Sequence, residues 1–248
     1  MERLDGARQS YDWGSTTAIP EMLGLEPDGA PWAEQWYGAH PAGPTRLADG
    51  RTLAALLASD PDRFLGEDIM RRFGPQLPFL LKIIAPDRAL SLQVHPSLEQ
   101  AARGFEQENA EGVAPDSPVR SFKDSNHKPE MVLALTRFEA VAGFRAPRRA
   151  AEVLGGLDSP PARRMRRTLR LNPTRFGIRQ AFTELVCADT RPEASEMAEL
   201  VAEISRRLAE GRSPSRRVDA NVVEMARAFP HDPGIAAALL LNPVTLVG

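Results

Sequence analysis

Two short stretches carry residue types that can do chemistry. Residues 90–96 read LSLQVHP, with polar and apolar residues interleaved. Side chains alternate between the two faces of a β-strand. Leu90, Leu92 and Val94 would then share one face, and Ser91, Gln93 and His95 the other. Such a polar row suits a metal ion or a polar substrate better than a core. Residues 126–130, NHKPE, place an amide, an imidazole, an ammonium group and a carboxylate together, with Glu130 opening an expected strand after Pro129. Gln93-x-His95 with Glu130 is the strongest constellation in a chain with four histidines. An imidazole and a carboxylate on adjacent strands suit a divalent ion of borderline softness such as Zn²⁺. Gln is an uncommon ligand, and its neutral oxygen would leave the metal more electrophilic than a second carboxylate would. A hydrogen-bonded polar pair meets the same Gln-x-His spacing, and His127 before Lys-Pro also reads as an ordinary loop.

The elements that must position these residues follow from periodicity and punctuation. LPFLLKIIA (77–85) and ALSLQVHP (89–96) read as strands divided by the turn residues Pro86, Asp87 and Arg88. Two more strands are expected in 130–145, parted by Thr136-Arg137. Leu53, Leu56 and Leu57 recur at helical spacing in 51–66, and the pattern stops at Asp60-Pro61. Residues 147–230 change texture, becoming rich in Arg, Ala and Glu. There 195–211 carries the stripe Met197, Leu200, Val201, Ile204 and Leu208, with Ser195 as expected N-cap, and 218–230 is a second amphipathic helix ended by Pro230. The basic run ARRMRRTLR (162–170) reads as a solvated helix face. From residue 231 the texture turns back towards β. The expected organisation is mainly β with an α insertion: 1–146 as an N-terminal part that carries the site, 147–230 as a helical insertion and 231–248 as a return into the β part, cut short.

Composition narrows the class of function. Of 248 residues, 42% are hydrophobic and 26% charged, and the formal net charge is −2, as in an ordinary soluble globular protein. No basic excess points to a nucleic-acid partner. The single cysteine, Cys187, excludes an intramolecular disulfide, fits a reducing compartment and is expected as a small core residue. The N-terminus shows no apolar signal segment, and the longest apolar run, IAAALLL (235–241), is too short to span a bilayer. A cytoplasmic protein with no membrane partner is expected. No P-loop or G-x-G-x-x-G supports a nucleotide cofactor.

The segments YDWGS (11–15), EQWYGAHP (34–41), LPFLLKIIAPDRALSLQVHP (77–96) and NHKPEMVLAL (126–135) together closely resemble type I phosphomannose isomerases, also called mannose-6-phosphate isomerases. The resemblance spans residues 10–145 and continues more loosely to LLLNPVTL. It implies a cupin (jelly-roll) barrel with a helical insertion, one Zn²⁺ per chain and a small sugar phosphate as partner. It implies interconversion of mannose 6-phosphate and fructose 6-phosphate through a cis-enediol, supplying mannose for GDP-mannose, in an enzyme that is a monomer when complete. Gln93, His95 and Glu130 match three zinc ligands. Lys128 matches a lysine proposed for proton transfer, with His127 beside it as the other candidate. A lysine can carry that proton when burial or a nearby cation favours its neutral form. Ser91 matches a serine lining the substrate pocket, and Trp13 is assigned to the same pocket. The Trp36/His40 segment is expected to give structural support.

The sequence also departs from the family pattern. The family's fourth ligand, a histidine, and an arginine important for catalysis lie beyond the motif matched by LNPVTL, and this sequence ends at Gly248. The resemblance thus implies an incomplete barrel. The alternative reading is a metal-containing, sugar-phosphate-binding cupin fragment without turnover. FPHDPG (229–234) replaces a family turn, and His231 is expected as a turn residue rather than a ligand.

Overall fold

A computed structural model describes residues 3–248, and the chain divides into two compact units, Met1–Leu90 and Ser91–Gly248. The first unit contains β1 (Leu4–Asp5), β2 (Ala7–Gln9), α1 (Ala18–Met22), β3 (Glu34–Tyr37), β4 (Arg46–Leu47), α2 (Leu53–Ser59), α3 (Pro61–Leu65), α4 (Glu67–Phe73) and β5 (Leu81–Ile84). An antiparallel sheet runs β2-β3-β5, and β1 pairs with β4. The helix break expected at Asp60-Pro61 is present: Asp60 ends α2 and accepts the Arg63 N–H, and Pro61 opens α3, where its missing N–H costs no hydrogen bond. YDWGS is a turn laid against this sheet. The Ser15 N–H donates to the Ala85 carbonyl at 2.8 Å, and the Asp87 N–H to the Trp13 carbonyl at 2.9 Å. A Cβ on Gly14 would lie 2.4 Å from the Ala33 backbone nitrogen, so this close approach requires glycine. Trp36 is buried in β3 with its ring edge-on to His40, and its Nε1–H donates to Glu34, which agrees with structural support.

The second unit contains α5 (Leu98–Ala110), β6 (Phe138–Phe144), α6 (Pro147–Val153), α7 (Pro160–Leu171), α8 (Arg175–Val186), α9 (Ala194–Ala209), α10 (Arg216–Ala228), α11 (Gly234–Ala237), a 3₁₀ turn (Ala238–Leu240) and β7 (Leu241–Leu246). The helices from α6 onward lie between two strands that pair antiparallel, β6 with β7. The ladder shifts register between Val141 and Phe144, where Gly143 takes a φ of 68°. A bulge in that conformation favours glycine. Asn242 Nδ2 donates to the Gly143 and Phe144 carbonyls at 3.2 and 3.1 Å. On the same ladder Thr245 and Arg217 both donate to the Glu139 carboxylate at 2.9 Å, joining β7 and α10 to β6. The Thr245 hydroxyl bond and the two arginines nearby, Arg137 and Arg217, hold Glu139 below the usual carboxylate range.

The main core is helical. Leu154, Leu157, Met165, Met197, Leu200 and Leu239 are almost wholly buried. The basic run lies on α7 with Met165 and Leu169 inward; Arg163, Arg167 and Arg170 are exposed, as expected of a solvated face, whereas Arg164 is half-buried against Glu196 and Arg166 donates to the Leu157 carbonyl. One ion pair is sealed into this core. Arg207 Nε and Nη2 donate to the two Asp219 oxygens at 2.7 and 2.5 Å, and Nη1 to the Gly155 carbonyl at 2.9 Å.

Several expectations are corrected. The described residues are mixed α and β rather than mainly β, because two expected strands do not form. Residues 89–96 and 130–135 carry no strand, since among the described residues neither finds a ladder partner. Their apolar side chains face water instead: Val94 is 82% exposed, Leu133 83% and Met131 95%. The N-cap of α9 is Glu193 rather than Ser195, because Glu193 and Glu196 form a reciprocal capping box two positions earlier. Cys187 is exposed rather than core, for it follows the inward stripe Ile178, Ala181 and Leu185 and leaves the helix as the cap of α8. Residues 235–240 are helical, not β; a run apolar all round suits a helix surrounded by others. His231 does occupy a turn, with a φ of 68°.

A clamp built on α5 sets the course of the chain towards residues 126–130. Ser97 and Gln100 form a capping box immediately after His95-Pro96. Glu108 on the same helix accepts the N–H groups of Ser121 and Phe122 at 2.9 and 2.8 Å. Arg120 donates to the Phe122 and Val113 carbonyls and to Asn109, and its guanidinium lies over Phe105. Gly104 sits inside α5, where a Cβ would meet the Phe122 ring at 2.4 Å.

Two predictions follow from these contacts. Asp219→Ala leaves the Arg207 guanidinium buried without a counter-ion, so unfolding free energy should fall by about 3–5 kcal/mol; a loss below about 1 kcal/mol in denaturant titration would contradict the pairing. The backbone bond from Ser121, then that from Phe122 and the charge of Arg120, hold Glu108 below the usual carboxylate range. A group with its folded value depressed contributes stability above its unfolded value and loses it as pH falls through the folded one. The protection of the Ser121 and Phe122 amides against exchange, relative to their intrinsic rates, should therefore fall below the normal carboxylate range. Glu108→Gln should make the pair fast at neutral pH and largely remove that acid dependence.

Candidate metal centre

His95 and Glu130 are brought together from segments without regular secondary structure. His95 Nδ1 lies 2.5 Å from the Lys128 backbone oxygen. A carbonyl oxygen only accepts, so Nδ1 carries the hydrogen and, in the neutral ring, Nε2 carries the lone pair. That lone pair faces Glu130, whose Oε2 is 3.9 Å from Nε2. A metal-binding histidine is commonly arranged this way, its second nitrogen donating to a carbonyl that sets tautomer and orientation. Zinc bonds of about 2.0–2.1 Å at the tetrahedral angle place two ligand atoms about 3.3 Å apart. The observed pair needs a closure of roughly half an ångström to meet that spacing, well within the reach of two exposed side chains. The residues present thus fit a zinc ion at two corners.

The neighbouring candidates are placed as follows. Ser91 and Gln93 are exposed, on the stretch that leads to His95. No group of three or more His, Cys, Asp or Glu that could hold a metal occurs among the described residues. His127 and Lys128 are exposed. Lys128 enters the geometry through its carbonyl, on His95, and not through its ammonium group. Trp13 belongs to the first unit, half-buried and stacked on Tyr11 with ring centroids 5.6 Å apart.

Sequence reasoning missed the residues that carry this geometry from behind. The Lys128 carbonyl has no side-chain signature. Glu108, Arg120 and Phe122 lie in a stretch with no motif. One signal was available: Gly104 lies within an amphipathic helix, where glycine costs about 1 kcal/mol and usually marks a close approach.

The chain is similar to a set of known proteins. The sequence pattern described as the catalytic domain of type I phosphomannose isomerase matches residues 1–147. A mannose-6-phosphate isomerase of Escherichia coli (strain K12) is 33% identical over 263 aligned residues, covering 99% of this chain and 62% of its own length. The mannose-6-phosphate isomerase of Rattus norvegicus is 28% identical, covering 96% of this chain and 59% of its own. Among solved structures, the apo mannose 6-phosphate isomerase of Salmonella typhimurium superposes with a TM-score of 0.86 at 31% identity, covering 100% of this chain and 61% of its own. The same organism's enzyme bound to fructose 6-phosphate and zinc superposes with a TM-score of 0.83 at 32% identity. This chain therefore spans about three fifths of the length of these relatives. The matched pattern covers more than half of the sequence and includes every residue brought together at the His95 site, so the chain belongs to the type I phosphomannose isomerase family.

Proposed function

We propose that this chain is the zinc-binding, catalytic portion of a mannose-6-phosphate isomerase, built on a cupin barrel organised as 1–146, 147–230 and 231–248. The observation that carries the reading is the meeting of His95 Nε2 and Glu130 Oε2 at 3.9 Å, with the imidazole oriented by the Lys128 carbonyl. Gln93, His95 and Glu130 would hold the metal. When bound, zinc supplies positive charge near the sugar oxygen that gains electron density as the aldose becomes a ketose.

The remaining chemistry belongs to side chains. Conversion of mannose 6-phosphate to fructose 6-phosphate moves a proton from C2 to C1 through a cis-enediol. The step needs one group to take the carbon-bound proton and return it to the neighbouring carbon. Lys128 is assigned that role, with His127 adjacent as the other candidate base. Ser91 and Trp13 are assigned to the sugar phosphate by the family resemblance. The product would feed GDP-mannose formation in the cytoplasm. A second reading is a metal-containing module that binds a sugar phosphate without turnover.

The deciding experiment is zinc analysis of the purified 248-residue chain beside Glu130→Ala and His95→Ala, followed by an isomerase assay. The expected result is one zinc per chain, bound at least about tenfold more weakly in each variant, with isomerisation abolished by chelation and restored by zinc. Zinc held equally by Glu130→Ala, or full activity after metal removal, overturns the reading. Zinc and mannose 6-phosphate binding without isomerisation selects the second.

A further inference from the structure

Three arginines of the second unit bury guanidinium nitrogens, and they are satisfied very differently. Arg207 meets both Asp219 oxygens and the Gly155 carbonyl. Arg120 meets two carbonyls and the Asn109 amide. Arg145, just past β6, has Nε and Nη2 buried with no hydrogen-bond partner among the described residues. Burial alone lowers its pKa, and no carboxylate acts on it in the opposite direction. A guanidinium stays charged, and a buried cation without a counter-ion is costly.

Arg145 lines a cavity of about 410 Å³ with Arg149, Glu152, Pro214, Ser215 and Asn242. The volume lies within the range of small-ligand sites. The neighbours leave Arg145 without an internal anion. Glu152 is engaged by Arg149 at 2.8 Å. The Asn242 amide N–H groups are spent on the Gly143 and Phe144 carbonyls. Ser215 stands at the N-cap of α10, its hydroxyl oxygen accepts no capping bond from the helix, and the positive end of a helix dipole opens here.

We propose that this cavity binds a small oxyanion of the phosphate or phosphate-monoester class, held by the Arg145 fork and by Ser215, with Arg149 at the rim. A tetrahedral oxyanion offers enough acceptors for a fork, a hydroxyl and helix N–H groups together, whereas a planar carboxylate is filled by the fork alone. None of the candidate metal or proton-transfer residues lines this cavity. The site therefore adds a second point of anion recognition to the chain.

The test is calorimetric titration and thermal denaturation of the chain with inorganic phosphate, at constant ionic strength and with chelator present to silence the His95 site. Wild-type protein should bind phosphate saturably and melt at a higher temperature as it does so. Arg145→Gln should weaken binding at least tenfold and remove the saturable rise, while Ser215→Ala and Arg149→Ala each weaken it several-fold. Equal shifts in wild type and Arg145→Gln, or no saturable binding, would overturn the site. Acetate binding as tightly as phosphate would overturn the phosphate assignment. Should Arg145→Gln fail to fold, unchanged phosphate affinity in both Ser215→Ala and Arg149→Ala refutes the proposal.

Discussion

The second unit depends on one constraint: the two ends of its long helical excursion must meet. The chain leaves β6 at Phe144 and returns at Leu241, and these residues are ladder partners. The Arg145 N–H donating to the Leu240 carbonyl at 2.8 Å closes the gap at the neck. Closing a loop this long costs entropy that grows only slowly with length, so one short ladder can hold it if the interior stabilises itself. The interior does so, through a helical core and the buried Arg207–Asp219 pair. The Glu139 carboxylate then ties the strands to α10 through Arg217. Strand pairing, bundle and tether thus form one mechanical unit, and the Arg145 cavity lies at its neck because that is where strand ends and helix starts converge.

Much of this helical part was legible in the sequence because helices are local. The stripe Met197, Leu200 and Ile204 became the buried face of α9, and Pro230 follows the end of α10 at Phe229. Errors fell where two local signals competed, as at Ser195, where an acceptable cap lost to a better one two residues earlier. The strands were less legible because pairing is not local. LSLQVHP has the alternation of a strand, yet alternation states only which residues would share a face. A strand exists when its N–H and C=O groups find partners, and residues 91–96 find no ladder among the described residues.

The site shows a similar division. Its side-chain chemistry was visible as His95 and Glu130, and the structure brings these two together. What holds them was invisible. The tautomer of His95 is set by a backbone carbonyl, and any residue type could have supplied that oxygen. The route of the chain to that carbonyl depends on Glu108 and Arg120, which bind backbone groups and so leave no pattern of spacing. Sequence reading finds side chains that act on a ligand more readily than those that act on the main chain.

Exposure bears on what can hold the candidate centre together. His95 and Glu130 retain 28% and 49% of their side-chain surface, and the apolar residues beside them, Val94 and Met131, are more exposed still. An exposed imidazole–carboxylate pair contributes at most about 1 kcal/mol, less once side-chain entropy is counted. The pair's own attraction is therefore too weak to account for its geometry. The orientation comes instead from the Lys128 carbonyl on one side and the α5 clamp behind it, both independent of the carboxylate. A pair oriented by its surroundings, with its lone pairs convergent and not spent on each other, has the preorganisation a metal ion exploits. The hydrogen bond from His95 Nδ1 to the Lys128 carbonyl is then the contact through which the fold orients the imidazole of the candidate centre.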